Sequence, residues 1–410
     1  MTLNRRDLLK ASAAVTTFTA APWIMRKSRA ADEILIGELY DLSGVIDLYG
    51  TAFHEGFTLA AEETNEAGGL LGQPVRVITY DTQSNNQLYA QYAQRAAVQD
   101  QVAVVHGGIT SASREVIRPI LRRFNTLYFY NSNYEGGVCD RNHFSVGMVP
   151  GHHTKALVDY AVNNIGKKIY TIAADYNYGQ IISAWVRKYA GELGAEVIDA
   201  EFFPLDVTSF GPTISKIQAA RPDFVWSALV GTAHLAFYRQ WAAAGMVGEI
   251  PIASTVFGAG TELSVLQPEE TEGFLVAYSY FETLDAPENA AWVDKFRTRF
   301  NRPPGYLNDN AMNSYLGWKM YAAAVEQAGT TDRMAVIEAL ESGVEVQLPT
   351  APAVMHGASH HCIRDVSIAE VRNNAYHIIQ TFKQLPPADT VAVCNLLEDP
   401  DDNQQYEPQL

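Results

Sequence analysis

The 410-residue chain is short of cysteine, of long apolar runs and of positive charge, and each scarcity removes a class of protein. Cys139, Cys362 and Cys394 are too few for a disulfide framework. An oxidising compartment leaves room for one bridge; Cys362 with Cys394 is the pair to test, and an unpaired buried thiol is the equal alternative at each position. Beyond residue 30 no apolar stretch reaches the ~20 residues of a membrane span, so stable insertion is not expected and membrane partners must be met by docking. Formal charge is −16, and setting aside residues 1–30, with six basic and one acidic residue, makes it −21, a poor surface for nucleic acid.

Catalytic signatures are missing as well. There is no G-x-S-x-G elbow, no phosphate loop, and no G-x-G-x-x-G after the first apolar run. Ser111 has no evident base beside it, and structural roles suit Glu135 and Asp175 better than acid/base work. His152-His153 and His356 with His360-His361 are the only histidine clusters; adjacent histidines at a helix start or loop are expected to face solvent, and no metal or cofactor is implied. The chain does not read as an enzyme.

What is present begins with Asn4-Arg5-Arg6-Asp7-Leu8-Leu9-Lys10, an arginine pair ahead of a weakly apolar run from Ala11 to Ala21. That is the form of a twin-arginine export signal over residues 1–30, with Ser28-Arg29-Ala30 as the cleavage site. No cysteine stands there to carry a lipid, so a free periplasmic product is expected. At this length two domains of ordinary size are expected.

Apolar strands alternate with amphipathic helices: Glu33 to Tyr40, Val75 to Tyr80, Val102 to His106 and Leu127 to Tyr130 in a first series, then Lys168 to Ala174, Glu196 to Phe203, Asp223 to Ala228 and Ile250 to Ala253. This rhythm specifies parallel sheets covered on both faces, in two successive α/β halves. Strong helices near 289–300, 309–328 and 332–341 follow, shared between the halves or forming a cap. In open parallel sheets ligands bind beyond the carboxyl ends of the strands. The loops there are Gly107 to Ser113, Tyr130 to Gly137 and Asp175 to Gly179. Tyr130, Tyr176 and Tyr178 offer flat rings with a hydroxyl, which suits a small uncharged polar guest, and Ser111 or Ser113 serves first as a helix N-cap.

Together with this order of units, Asn65-Glu66-Ala67-Gly68-Gly69-Leu70-Leu71-Gly72, Thr110-Ser111-Ala112-Ser113-Arg114, Tyr134-Glu135-Gly136, Asp175-Tyr176-x-Tyr178, Pro222 to Val225, Pro251 to Ser254 and His360-His361 resemble the type I periplasmic binding proteins. The branch resembled is that of urea and short-chain amides within the branched-chain amino-acid binding family. The resemblance implies two lobes joined by three hinge crossings, residues 31–150 and 281–346 forming lobe one and residues 151–280 and 347–410 lobe two. It also implies closure on a small solute that is handed to an ABC transporter permease. By position, Ser111 and Tyr130 would hold the solute from lobe one, with Thr110 beside them, Tyr176 and Tyr178 would close from lobe two, and Tyr49 would act as an aromatic lid.

Against the amide pattern, Ile109 replaces an aromatic and Asn133 a proline or glutamine. Near Thr255-Val256-Phe257-Gly258 the usual hydroxyl or acidic groups are missing and Phe257 intrudes, so a pocket less polar than a urea site is expected. Val230 to His234 lacks an acid to hold an ammonium group. A neutral amide or urea-like solute is therefore the expectation, with a larger apolar amide or a small aromatic held open, and an amino-acid binder or a periplasmic ligand sensor of the same fold as alternatives.

Overall fold

The computed structural model describes residues 33–409, so the expected export signal and its expected cleavage site lie outside the described residues. The first sheet is built by β1 (Ile34–Tyr40), α1 (Asp47–Glu66), β2 (Val75–Asp81), α2 (Asn86–Val98), β3 (Val104–Gly107), α3 (Ser111–Arg123), β4 (Leu127–Tyr130) and β5 (His143–Ser145). The second follows with α4 (His153–Asn164), β6 (Lys168–Ala174), α5 (Asn177–Glu192), β7 (Glu196–Phe203), α6 (Gly211–Ala220), β8 (Phe224–Ala228), α7 (Thr232–Ala243) and β9 (Ile252–Ser254). Two single-turn helices, α8 (Glu262–Val265) and α9 (Pro268–Thr271), lead to β10 (Leu275–Tyr278). The last third holds α10 (Pro287–Phe300), α11 (Asp309–Ala328), α12 (Arg333–Glu341), β11 (Glu345–Val346), β12 (Ala353–His356), β13 (His361–Arg372), β14 (Ala375–Leu385) and α13 (Ala388–Val391).

Strands run β2-β1-β3-β4-β5 in one parallel set and β10-β9-β8-β6-β7 in the other. β13 splices them: it starts parallel to β5 at the His361–Ser145 pair and continues antiparallel to β10. The result is a two-lobe α/β architecture of the type I periplasmic binding protein fold. Strands such as Leu127–Tyr130 and Phe224–Ala228 are buried throughout because helices cover both faces, which is why they read as unbroken apolar runs. α10, α11 and α12 join the core of the first sheet. α1 and α11 meet there so closely that a Cβ on Gly56 would lie 2.0 Å from the Ala311 carbonyl oxygen, so only glycine fits.

Three expectations are corrected. The bridge joins Cys139 to Cys394, with Cα atoms 5.5 Å apart, and Cys362 is the buried free thiol, pushed up to about 12 by burial. The histidine pairs do not face solvent: His152, His153, His360 and His361 are all buried. Thr110, not a serine, caps α3, its hydroxyl accepting the Ser113 N–H at 3.0 Å. β13 and β14, together an antiparallel hairpin, are elements that the alternating pattern did not disclose.

The C-terminal residues run back over the first sheet. Val138 bridges to Gln405, the Tyr406 N–H donates to the Gly137 carbonyl at 2.8 Å, and Arg118 donates to the Asn403 carbonyl at 2.8 Å.

Candidate solute site

A cleft of about 450 Å³, counting the part open to solvent, lies where the carboxyl ends of the two strand sets converge. Its walls follow from topology. Ile109, Thr110 and Ser111 succeed β3, Ser132 and Asn133 succeed β4, Tyr176 and Tyr178 succeed β6, Val230 succeeds β8, and Thr255, Val256 and Ala259 succeed β9. Tyr49 from α1 and Asn310 from α11 complete it. No charged side chain is among these residues.

Gly108, at φ +81°, makes the turn from β3 into α3, a left-handed backbone that a side chain would strain. That turn points the start of α3 at the cavity. The Ser111 and Ala112 amides, in the first helical turn, have no protein acceptor among the described residues. Ser111 is buried, and its hydroxyl donates to the Glu135 carboxylate. Glu135 is in turn bound by the buried Arg114 guanidinium at 2.8 Å.

On the opposite wall Tyr176 and Tyr178 are stacked with centroids 6.0 Å apart, and the Tyr178 hydroxyl meets the Thr255 hydroxyl at 3.2 Å. Burial pushes the hydroxyls of Tyr49, Tyr176 and Tyr178 above their ordinary value, so all three are neutral. Asn133 is held from both ends: its amide nitrogen donates to Asp309 at 2.9 Å, and its oxygen accepts from the Met148 N–H at 2.7 Å and the Asn313 amide at 3.1 Å. It lines the cavity as a fixed surface. The Asn310 side chain, by contrast, has no protein partner among the described residues, so its amide can both donate and accept at the solute.

Tyr49 crosses to the second half of the chain, where its hydroxyl lies 3.3 Å from His234 Nδ1 and its ring packs over Gly260. Behind them Glu262 is buried, with Oε2 accepting from the Gly258 and Gly260 amides at 3.1 Å each and Oε1 3.7 Å from His234 Nε2. Burial raises Glu262 to about 7 and lowers His234 to about 3, so below neutrality the pair is an uncharged acid beside a neutral imidazole.

Of the residues expected at the site, Tyr49, Ile109, Thr110, Ser111, Asn133, Tyr176 and Tyr178 converge on this cavity. Tyr130 and Phe257 do not. The Tyr130 hydroxyl donates to the Ile109 carbonyl at 2.8 Å and its ring lies under Arg114, so it supports the wall from behind. Phe257 turns away into a cluster with Tyr238 and Phe274. Nor is the 255–258 loop without a hydroxyl, since Thr255 lines the cavity. Ser132, Val230, Thr255, Val256, Ala259 and Asn310 were not among the expected residues. The first five lie in loops that the crevice rule singles out, whereas Asn310 sits at a helix start with no local signal.

The family described as periplasmic binding protein matches residues 33–375, and the chain belongs to it. Among curated relatives, Leu/Ile/Val-binding protein homolog 7 of Brucella suis is 22% identical, the match covering 83% of this chain and 87% of the relative. The leucine-, isoleucine-, valine-, threonine- and alanine-binding protein of Pseudomonas aeruginosa is 24% identical over 77% of this chain and 84% of its own length. Among solved structures, an R. palustris ABC transporter solute-binding protein in complex with 4-hydroxybenzoate superposes with a TM-score of 0.77 at 21% identity, covering 88% of this chain and all of that one. The urea and amide branch is not distinguished by these matches; the family as a whole is.

Proposed function

We propose that this is the extracytoplasmic solute-binding protein of an ABC importer and that its solute is small, uncharged and flat, an amide or urea-like molecule. The observation that carries the solute class is a cavity with no charged lining. A zwitterionic amino acid brought there would bury its ammonium group without a carboxylate partner, at a cost of several kcal/mol. Tyr49, Tyr176 and Tyr178 suit a flat body, and Asn310 can pair with an amide head through one donor and one acceptor. The two strand sets act as lobes that close on the solute and release it intact to a membrane permease. Residues 1–30 are read as the twin-arginine signal that delivers the protein folded.

A second reading, a small aromatic carboxylate, is favoured by the free amides at the start of α3, which can hold an anion. It accords with the hydroxybenzoate complex of the R. palustris protein. A thermal-shift and calorimetric panel of urea, acetamide, benzamide, benzoate and leucine separates these readings, because a ligand bound only by the folded form raises its melting temperature. The amides are expected to shift it and leucine is not; a shift for leucine alone would overturn the solute class. For urea or acetamide, about four heavy atoms at ~−1.5 kcal/mol each cap affinity near tens of micromolar. Tyr178→Ala is expected to weaken the bound amide about tenfold or more, with a cooperative guanidinium unfolding transition showing that the variant is folded. Unchanged affinity by calorimetry would remove Tyr178 from the site.

A further inference from the structure

Ser111 faces the cavity with its proton already committed. Its hydroxyl donates to Glu135 Oε2, and the other carboxylate oxygen, Oε1, accepts from Arg114 Nη2 at 2.8 Å and from the Gln405 amide nitrogen. Neither Glu135 nor Arg114 is exposed. The guanidinium is further held by Glu115 at 2.9 Å and by the Tyr134 ring, 4.4 Å from its carbon to the ring centroid. Gln405 is itself fixed, accepting from Arg114 Nη2 at 3.0 Å through Oε1 and donating to the Gly136 carbonyl at 3.2 Å. The backbone carbonyl of Glu135 accepts from Trp185 Nε1 at 3.1 Å.

A carboxylate paired with a guanidinium offers only acceptors, so a hydroxyl beside it must be the donor. We infer that Glu135, clamped by Arg114 and the C-terminal Gln405, is a specificity-determining positioning residue: it turns Ser111 into an acceptor towards the cavity, and the solute must present an N–H or O–H there. This rests on the reading of the cavity as an amide site and narrows it. A solute carbonyl or carboxylate oxygen placed at Ser111 would meet a lone pair instead of a proton.

Glu135→Gln reverses the polarity by a route the geometry dictates. Arg114 and Gln405 both donate to the Oε1 position, so the substituted side chain must put its carbonyl oxygen there and its amide nitrogen against Ser111. Ser111 then accepts from that nitrogen and its own proton is released towards the cavity.

Two shape-matched neutral pairs read this out by calorimetry: benzamide with acetophenone, and acetamide with acetone, each exchanging an NH2 for a methyl group. In wild-type protein the amide of a pair is expected to bind at least about tenfold more tightly than the ketone. Glu135→Gln is expected to narrow that ratio to near one or invert it. A mere loss of structural support would weaken both members equally and leave the ratio in place, which would overturn the inference. Ser111→Ala provides a second arm should the buried substitution fail to fold, and is expected to bring the amide down to the affinity of the ketone; an unchanged ratio there would equally overturn it. Wild-type protein that binds amide and ketone alike sinks the polarity assignment and spares the neutral-solute reading. Wild-type protein that binds neither, and responds to leucine or benzoate, removes both.

Discussion

Moving the protein from pH 7 to pH 5.5 is expected to remove several kcal/mol of folding stability, and histidine is the reason. His106, His152, His153, His234 and His361 are buried, and desolvation pushes each down to about 3 from an ordinary 6.5. His152 shows the geometry: Nδ1 accepts the Val149 N–H and Nε2 donates to the Leu385 carbonyl, each at 3.1 Å, so a second proton would break one bond. Because the folded values lie below the unfolded ones, this contribution is present above pH 6.5 and is lost as pH falls towards 3. Below 6.5 the unfolded chain takes up protons that the native one refuses. Five such groups amount to about 6 kcal/mol between pH 7 and 5.5.

Glu262 and Asp389 act in the opposite sense. Burial raises them to about 7 and about 6, so their contribution is present at low pH and lost as pH rises through those values. On acidification they return about 2 kcal/mol, and the histidines win. Against a total of roughly 5–15 kcal/mol the net loss is large. Guanidinium unfolding midpoints measured from pH 7 to 5.5 should fall steadily, and Glu262→Gln should steepen the fall by removing one of the groups that oppose it. A flat profile would mean that these histidines are already charged or are exposed.

The second large effect concerns the Cys139–Cys394 bridge. It joins positions 255 residues apart, and in the chain-entropy account closing so long a loop in the unfolded state contributes about 5 kcal/mol. Reduced protein, or the Cys139→Ser, Cys394→Ser double variant, should lose unfolding free energy up to that amount in guanidinium chloride, and the double variant should no longer respond to reductant. Cys362→Ser should leave the response to reductant intact, because that thiol takes no part. A response that disappears in Cys362→Ser would restore the Cys362–Cys394 pairing read from the sequence. If reduction changes nothing, the polar contacts of residues 401–409 alone would hold the tail.

Most βα units were legible because a buried parallel strand is an apolar run and its covering helix has a different period: Lys168–Ala174 and Asp309–Ala328 fall where the pattern places them. β13 and β14 were not, for a visible reason. β13 buries His361, Arg364, Asp365 and Ser367, its register shifts at Arg364/Val366 and Ile368/Ala369, and its alternation is lost. At the site, the rule that ligands gather beyond strand ends found the right loops. It could not say which side chain of a loop turns inward, and so admitted Tyr130 and Phe257 while passing over Ser132 and Ala259. Asn310 belongs to a distant segment, and the Cys139 pairing depends on a tail that returns across the molecule; neither carries a local mark.

The strand shared by the two sheets also bears on biosynthesis. β5 and β10 each find a neighbour in β13, close to the end of the chain. While the ribosome is still making the last segment, both carry an unsatisfied edge of backbone amides and carbonyls, the kind of template on which nascent chains stick to one another. Completion must therefore come late and for both halves at once, and a polypeptide released before β13 would leave two frayed sheets where a finished one holds none at that seam.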